Sequence, residues 1–247
     1  MAFPDQTDFF AAFLHELNQP LTTLRNVLEL TTYRENNDWP AVIEAALSNV
    51  DRMVELLDLM GELSHFERLP LPSVSVDVAG LLREALEDLG ASASMDGRHL
   101  AGTGMESAVW VLAAAEPLRS ALFRIIADAV HNAREGETVR LALHPPSAPS
   151  LSNRTAASSA LPASNFAVCE IGYAGPALAE NESEALLGLA QTGHGKRGSI
   201  TRRVFRLGLC LRVLVLQGAG VEVLGRETGD WVLRLTLPAA PASAPQL

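Results

Sequence analysis

The sequence predicts an α+β protein in two parts, an antiparallel helical hairpin over residues 1–70 and an α/β sandwich over residues 71–238. Three observations predict it. Apolar residues recur at three- and four-residue steps through two long N-terminal segments. Short β-rich runs alternate with helical ones after Leu69-Pro70-Leu71-Pro72. Finally, 247 residues that are 48% hydrophobic are enough to build two modest cores.

The first helix is expected from Thr7 to about Arg34, its stripe formed by Phe10, Phe13, Leu14, Leu17, Leu21, Leu24 and Leu28. Pro20 lacks an N–H and predicts a bend one turn after His15. A polar stretch, Glu35 to Asp38, then offers Asp38 as a cap, with Pro40 in the first turn of a second helix that reaches about His65. Ile43, Leu47, Val50, Val54, Leu57, Met60 and Leu63 give that helix a near-heptad seam. One hairpin does not cover both stripes, so two copies forming a four-helix bundle, a homodimer, are expected. The alternative is a single hairpin packed on its own second domain.

In the second part, strands are expected at Val74 to Val76, Ala108 to Leu112, Thr138 to Leu143, Phe166 to Ile171, Val221 to Leu224 and Trp231 to Leu237. Helices are expected from Asp77, as a cap, to Leu89 and from Pro117 to Arg134. The pattern fits helices on one face of a mixed sheet. Residues 145–165 are rich in Pro, Ser and Ala and read as a mobile loop, and residues 239–247 read as a disordered tail.

A net charge of −10 argues against a nucleic-acid surface and for protein partners. Cys169 and Cys210 form no C-x-x-C pair, so neither a disulfide framework nor a zinc site is indicated. No apolar run of about 18 residues appears, and the N-terminus carries acids where a secretory leader carries Lys or Arg. A cytoplasmic protein without a membrane anchor is expected. Because few residues precede His15, sensing is expected on another chain, such as a separate sensor kinase.

His15 lies off the apolar stripe, so its ring is expected to face solvent with Glu16 beside it. A neutral imidazole nitrogen can attack phosphorus in line, and a carboxylate that holds the other ring N–H fixes the tautomer. The run His15-Glu16-Leu17-Asn18-Gln19-Pro20-Leu21 resembles the H-box of two-component histidine kinases. The resemblance implies that His15 is the phosphoacceptor, Glu16 its base, and Gln19 the polar residue that helps hydrolyse a response regulator's phospho-aspartate.

The resemblance extends to the ATP-binding domain of that family. Asp128-Ala-Val-His-Asn132-Ala133-Arg134 resembles the N-box, which implies Mg²⁺ binding at Asn132, with Asp128 where Asn is usual. The family's Asp-x-Gly-x-Gly is matched to Glu170-Ile171-Gly172-Tyr173-Ala174, and its Gly-x-Gly-Leu-Gly-Leu to Val204-Phe205-Arg206-Leu207-Gly208-Leu209. Ala174, Val204 and Arg206 replace glycines that let backbone N–H groups approach phosphates. The basic, glycine-rich run Thr192 to Ser199, with Arg202, Arg203 and Arg206, reads as a solvated loop; a remodelled anion lid is the alternative.

The resemblance therefore implies ATP and Mg as cofactors, whereas the changed residues compromise their site. The preferred reading is a histidine phosphotransferase or pseudokinase that exchanges phosphoryl groups between His15 and the receiver domains of response regulators. An active ATP-dependent histidine kinase is one alternative, and a non-catalytic scaffold or inhibitor of a kinase or regulator is another.

Overall fold

The computed structural model describes residues 6–33, 39–68, 73–146, 165–175, 178–193, 200–225 and 230–241. The loop expected at 145–165, the cap at Asp38, the run 194–199 and the tail from 242 onward lie largely or wholly outside these residues.

Two long helices come first, α1 (Gln6–Tyr33) and α2 (Trp39–Arg68), packed against each other as a hairpin. Helix α1 runs unbroken through Pro20, and the Thr23 hydroxyl donates to the Gln19 carbonyl at 3.0 Å. The apolar stripes divide. Phe13, Leu56 and Leu63 are buried and join the core of the second part, whereas Leu21, Leu28, Ile43, Leu47, Val54 and Leu57 remain exposed.

The second part contains β1 (Val74–Asp77), α3 (Val78–Met95), β2 (His99–Thr103), β3 (Trp110–Ala113), α4 (Ala115–Asn132), β4 (Thr138–His144), β5 (Phe166–Ala174), α5 (Glu180–Thr192), α6 (Arg202–Leu216), β6 (Gly220–Gly225) and β7 (Asp230–Pro238). A five-stranded sheet has the order β2-β4-β5-β7-β6, with β2 parallel to β4 and the other neighbours antiparallel. Strands β1 and β3 form a separate antiparallel pair. This is the predicted α+β arrangement of a helical N-terminal part followed by a mixed sheet with helices. Sequence reading left out β2 and α5, stopped β5 three residues early and ended α3 at Leu89 rather than Met95. Asp77 does sit at the N-cap of α3, but its Oδ1 accepts from the Val109 N–H at 3.0 Å and makes no cap bond. Residues 239–241, within the expected tail, are among the described residues. Ala239 N–H donates to Asn165 and Ala240 N–H to Trp110, which tie both residues to neighbouring backbone.

Helix α6 is the centre of the molecule. It packs on α4, α5, α2 and α1, and Val204, Phe205, Leu207, Leu209, Leu211 and Leu214 are all buried. Its four arginines leave an open edge at Arg202 and Arg206, and the broad apolar remainder of the helix has to be covered. The hairpin supplies one cover, since the Phe205 and Phe13 rings lie 6.5 Å apart.

Candidate phosphoacceptor site and candidate nucleotide pocket

Thr201 caps α6, its hydroxyl accepting from the Val204 N–H at 3.4 Å. The first two helical residues are therefore Arg202 and Arg203, at the end where the helix macrodipole disfavours cations. Each is compensated by a carboxylate. Arg202 reaches Glu16 on α1, with 3.6 Å between Nε and Oε2. Arg203 reaches Asp128 on α4, with 3.1 Å between Nε and Oδ2.

On α1, His15 is exposed as expected, and Gln19, one turn on, brings its Nε2 to 3.3 Å from His15 Nε2. Glu16 departs from the expected geometry. Its residue is 3% exposed and faces α6, not the imidazole. Helix geometry explains this, because adjacent residues project about 100° apart and the Glu16 direction points into the packed α1/α6 contact. Among the described residues Glu16 Oε2 is buried with no hydrogen-bond partner, and Arg202 faces it as an ion pair. Gln19 completes the link, accepting from Arg202 Nη2 at 2.9 Å through Oε1.

The residues assigned by resemblance to nucleotide binding do not converge. Side chains alternate along a strand, so Cys169, Ile171 and Tyr173 share one face of β5, and Glu170, Gly172 and Ala174 share the other. Tyr173 meets Arg203 of α6, which makes its face the helix-bearing one. Glu170 consequently points away from the helices. It pairs with Arg234 of β7 at 2.8 Å, and Arg234 also holds Glu222 of β6 at 3.2 Å, a cross-strand triad at a shared register. Gly172 is mid-strand opposite Val232, not in a turn. Gly208 is interior to α6, where a Cβ would lie 2.9 Å from Leu189 Cβ. It serves helix packing, and no phosphate-binding turn forms around it. Asp128 and Asn132 do share α4, but the Asn132 amide donates to the Asp128 carbonyl at 2.7 Å. Among the described residues, no group of three or more His, Cys, Asp or Glu is placed to hold a metal.

Sequence reasoning placed Arg203 in a solvated basic cluster and gave no role to Tyr173, Trp231 or Gly175. The Arg203 guanidinium pairs with Asp128, donates to the Tyr173 hydroxyl and lies over the Tyr173 and Trp231 rings at 5.7 and 5.6 Å. Burial pushes the Asp128 carboxyl above its ordinary value, and Arg203 pulls it only part of the way back. Burial also raises the Tyr173 phenol. At the end of β5, Gly175 lets the chain pass under α4, for a Cβ there would meet the Asn132 carbonyl oxygen at 2.5 Å. Tyr173-Ala174-Gly175 thus takes the strand-end place that the sequence reading gave to Glu170-Ile171-Gly172. The available signal was two consecutive arginines opening an apolar helix in an acidic chain. At the position that the N-box resemblance gives to the nucleotide site, the Asp128 carboxylate is already paired with Arg203 and the Asn132 amide with backbone.

Residues 5–68 match the family described as His Kinase A (phospho-acceptor) domain. No curated protein matches the chain. Among solved structures, a histidine kinase AdeS from Acinetobacter baumannii superposes with a TM-score of 0.63 at 13% identity, covering 92% of this chain and 98% of that one. Histidine kinase ThkA, solved in complex with response regulator protein TrrA, gives 0.66 at 13% identity, covering 95% of this chain and 62% of that one. Full-length ShkA in complex with AMPPNP gives 0.54 at 20% identity, covering 96% and 47%. At these identities the likeness is one of fold. No described helix is long and apolar enough to cross a membrane.

Proposed function

We propose, from the premise that this is a two-component histidine kinase family protein, that the chain is a histidine phosphotransferase whose own nucleotide site has been closed by Arg203. His15 Nε2 takes a phosphoryl group from a receiver aspartate. The N–P bond forms as the acyl phosphate P–O bond breaks, and the electron pair leaves on the carboxylate. The reverse step returns the group. The partners are receiver domains of response regulators, and the two buried cysteines, which form no disulfide, suit a reducing cytoplasm.

The observation that carries this reading is the placement of Arg203 between Asp128, Tyr173 and Trp231, while His15 stays exposed. A half-buried guanidinium there satisfies the acid that would otherwise face Mg²⁺ and covers the aromatic floor. The exposed apolar residues of α1 and α2 favour a dimer through the hairpins.

The test is a pair of incubations. With γ-labelled ATP and Mg²⁺ the chain is expected to remain unlabelled. With a phosphorylated receiver domain it is expected to acquire label, and His15→Ala to abolish it. Strong ATP labelling that depends on His15 would establish an autokinase instead.

A further inference from the structure

The carboxamide of Gln19 bridges two helices, with Oε1 toward Arg202 of α6 and Nε2 toward His15 of α1. Its orientation is dictated by chemistry. A guanidinium has donors only, so only the carboxamide oxygen satisfies it, and this turns the NH₂ group toward the ring. An NH₂ group in turn only donates. The ring nitrogen facing it must supply a lone pair, and the ring proton of neutral His15 then resides on Nδ1.

We propose that Arg202 is a positioning residue that acts through Gln19 to hold His15 in its Nδ1-protonated tautomer, presenting Nε2 as the atom that accepts phosphoryl. The proposal rests on the reading of His15 as the phosphoacceptor. In free neutral imidazole side chains the other tautomer, with the proton on Nε2, is the more populated, so this arrangement reverses the default. It also gives the buried Glu16 a role without contact to the ring. Glu16 lies 3.6 Å from Arg202 Nε and is almost wholly enclosed, so it anchors the guanidinium that orients Gln19. Charge on α1 thus reaches His15 by way of α6, and undocking α6 from the hairpin would release the tautomer.

The full chain, labelled with ¹⁵N at histidine, is the material for the test. At pH about 9, where histidine rings are neutral, the imidazole shifts report the tautomer. Wild type is expected to hold His15 mostly protonated at Nδ1. Arg202→Met is expected to move it toward Nε2–H, Arg202→Lys, which also only donates, to restore it, and Gln19→Glu, which only accepts, to invert it. Arg202 is solvent-facing on one side and sits after an intact cap, so loss of fold is checked simply by unchanged shifts elsewhere.

Chemical phosphorylation with potassium phosphoramidate gives the second arm. There the Nε2 lone pair forms the N–P bond as the donor's P–N bond breaks, ammonia departs, and the Nδ1 proton passes to solvent. Arg202→Met is expected to lower the rate of Nε2 modification about fivefold, the effect of one hydrogen bond, with ³¹P shifts separating Nε2 from Nδ1 products. An Nε2-protonated wild-type ring, or a tautomer indifferent to Arg202→Met, overturns the proposal whatever the labelling does. A correct tautomer with no phosphoryl uptake at His15 overturns the acceptor reading instead.

Discussion

Arg203 Nε stands 3.1 Å from Asp128 Oδ2, and the same guanidinium donates to Tyr173. The pair is largely enclosed, with side chains 18% and 22% exposed. Breaking such a pair from one side leaves a charge without its partner in a poorly solvated place. Arg203→Met is therefore expected to lower unfolding stability by about 1–3 kcal/mol, a range below that of a fully buried pair because solvent still reaches these groups. Urea denaturation measures it. The same variant tests whether the closed pocket is the obstacle to ATP, since a nucleotide-dependent rise in melting temperature in Arg203→Met and not in wild type would locate the block at this side chain.

Asp128 also sets a pH dependence. Burial raises its folded-state value above the ordinary one, the attraction of Arg203 notwithstanding. An acid so raised holds its proton longer in the folded state than in the unfolded one. Its contribution to stability is therefore greatest below the unfolded value, about 4, and is lost as pH rises through the folded value. Replacing Asp128 with Asn removes that titration. The difference in urea midpoint between Asp128→Asn and wild type is expected to grow in favour of the variant from acid toward neutral pH. A constant difference across that range would sink the assignment.

Much of this was legible in the sequence because it was local. The helical stripes, Thr201's neighbourhood aside, followed from spacing, and β1, β4, β6 and β7 fell where β-branched and aromatic runs predicted. His15's exposure followed from its position off the stripe. What failed depended on which face of a strand or helix a residue shows. Glu170 was matched by residue type alone, and a three-residue shift in register exchanges an inward Tyr173 for an outward Glu170. Gly208 looked like a loop glycine because the motif suggested one, whereas its surroundings are the apolar interior of α6. Glu16 was assigned by resemblance as the base beside His15; only the packing of α6 on α1 determines that it faces Arg202. Long-range pairs such as Arg202 with Gln19 leave no trace in local periodicity.

The two packing glycines give a sharper distinction between structural and nucleotide roles. At Gly175 a Cβ would meet the Asn132 backbone oxygen at 2.5 Å, an obstacle that no side-chain rotation relieves. At Gly208 the nearest atom is Leu189 Cβ at 2.9 Å, which requires α5 and α6 to part slightly, while alanine itself favours helix. Gly175→Ala is expected to cost about 2–3 kcal/mol and Gly208→Ala about 1 kcal/mol. Equal costs in thermal unfolding, or a larger one at Gly208, would contradict this account of the two contacts.

The remaining question is what covers the hairpin. Ile43 and Leu47 are 54% and 57% exposed, and Val54, Leu57, Leu21 and Leu28 are about as open. Helix α6 already occupies the face that carries Phe13, and so the seam left open is not the one used within the chain. Each such side chain gains about 1.5–3 kcal/mol on full burial, and a dyad brings every one of them in twice. That surplus favours a four-helix bundle over a lone hairpin. The double variant Ile43→Glu/Leu47→Glu places like charges across the proposed seam and, both residues being exposed in the single chain, should leave the fold of each copy intact. Light scattering after size exclusion is expected to report twice the chain mass for wild type and the chain mass for the variant. A monomeric wild type at tens of micromolar would mean that the hairpin is covered by something other than a second copy.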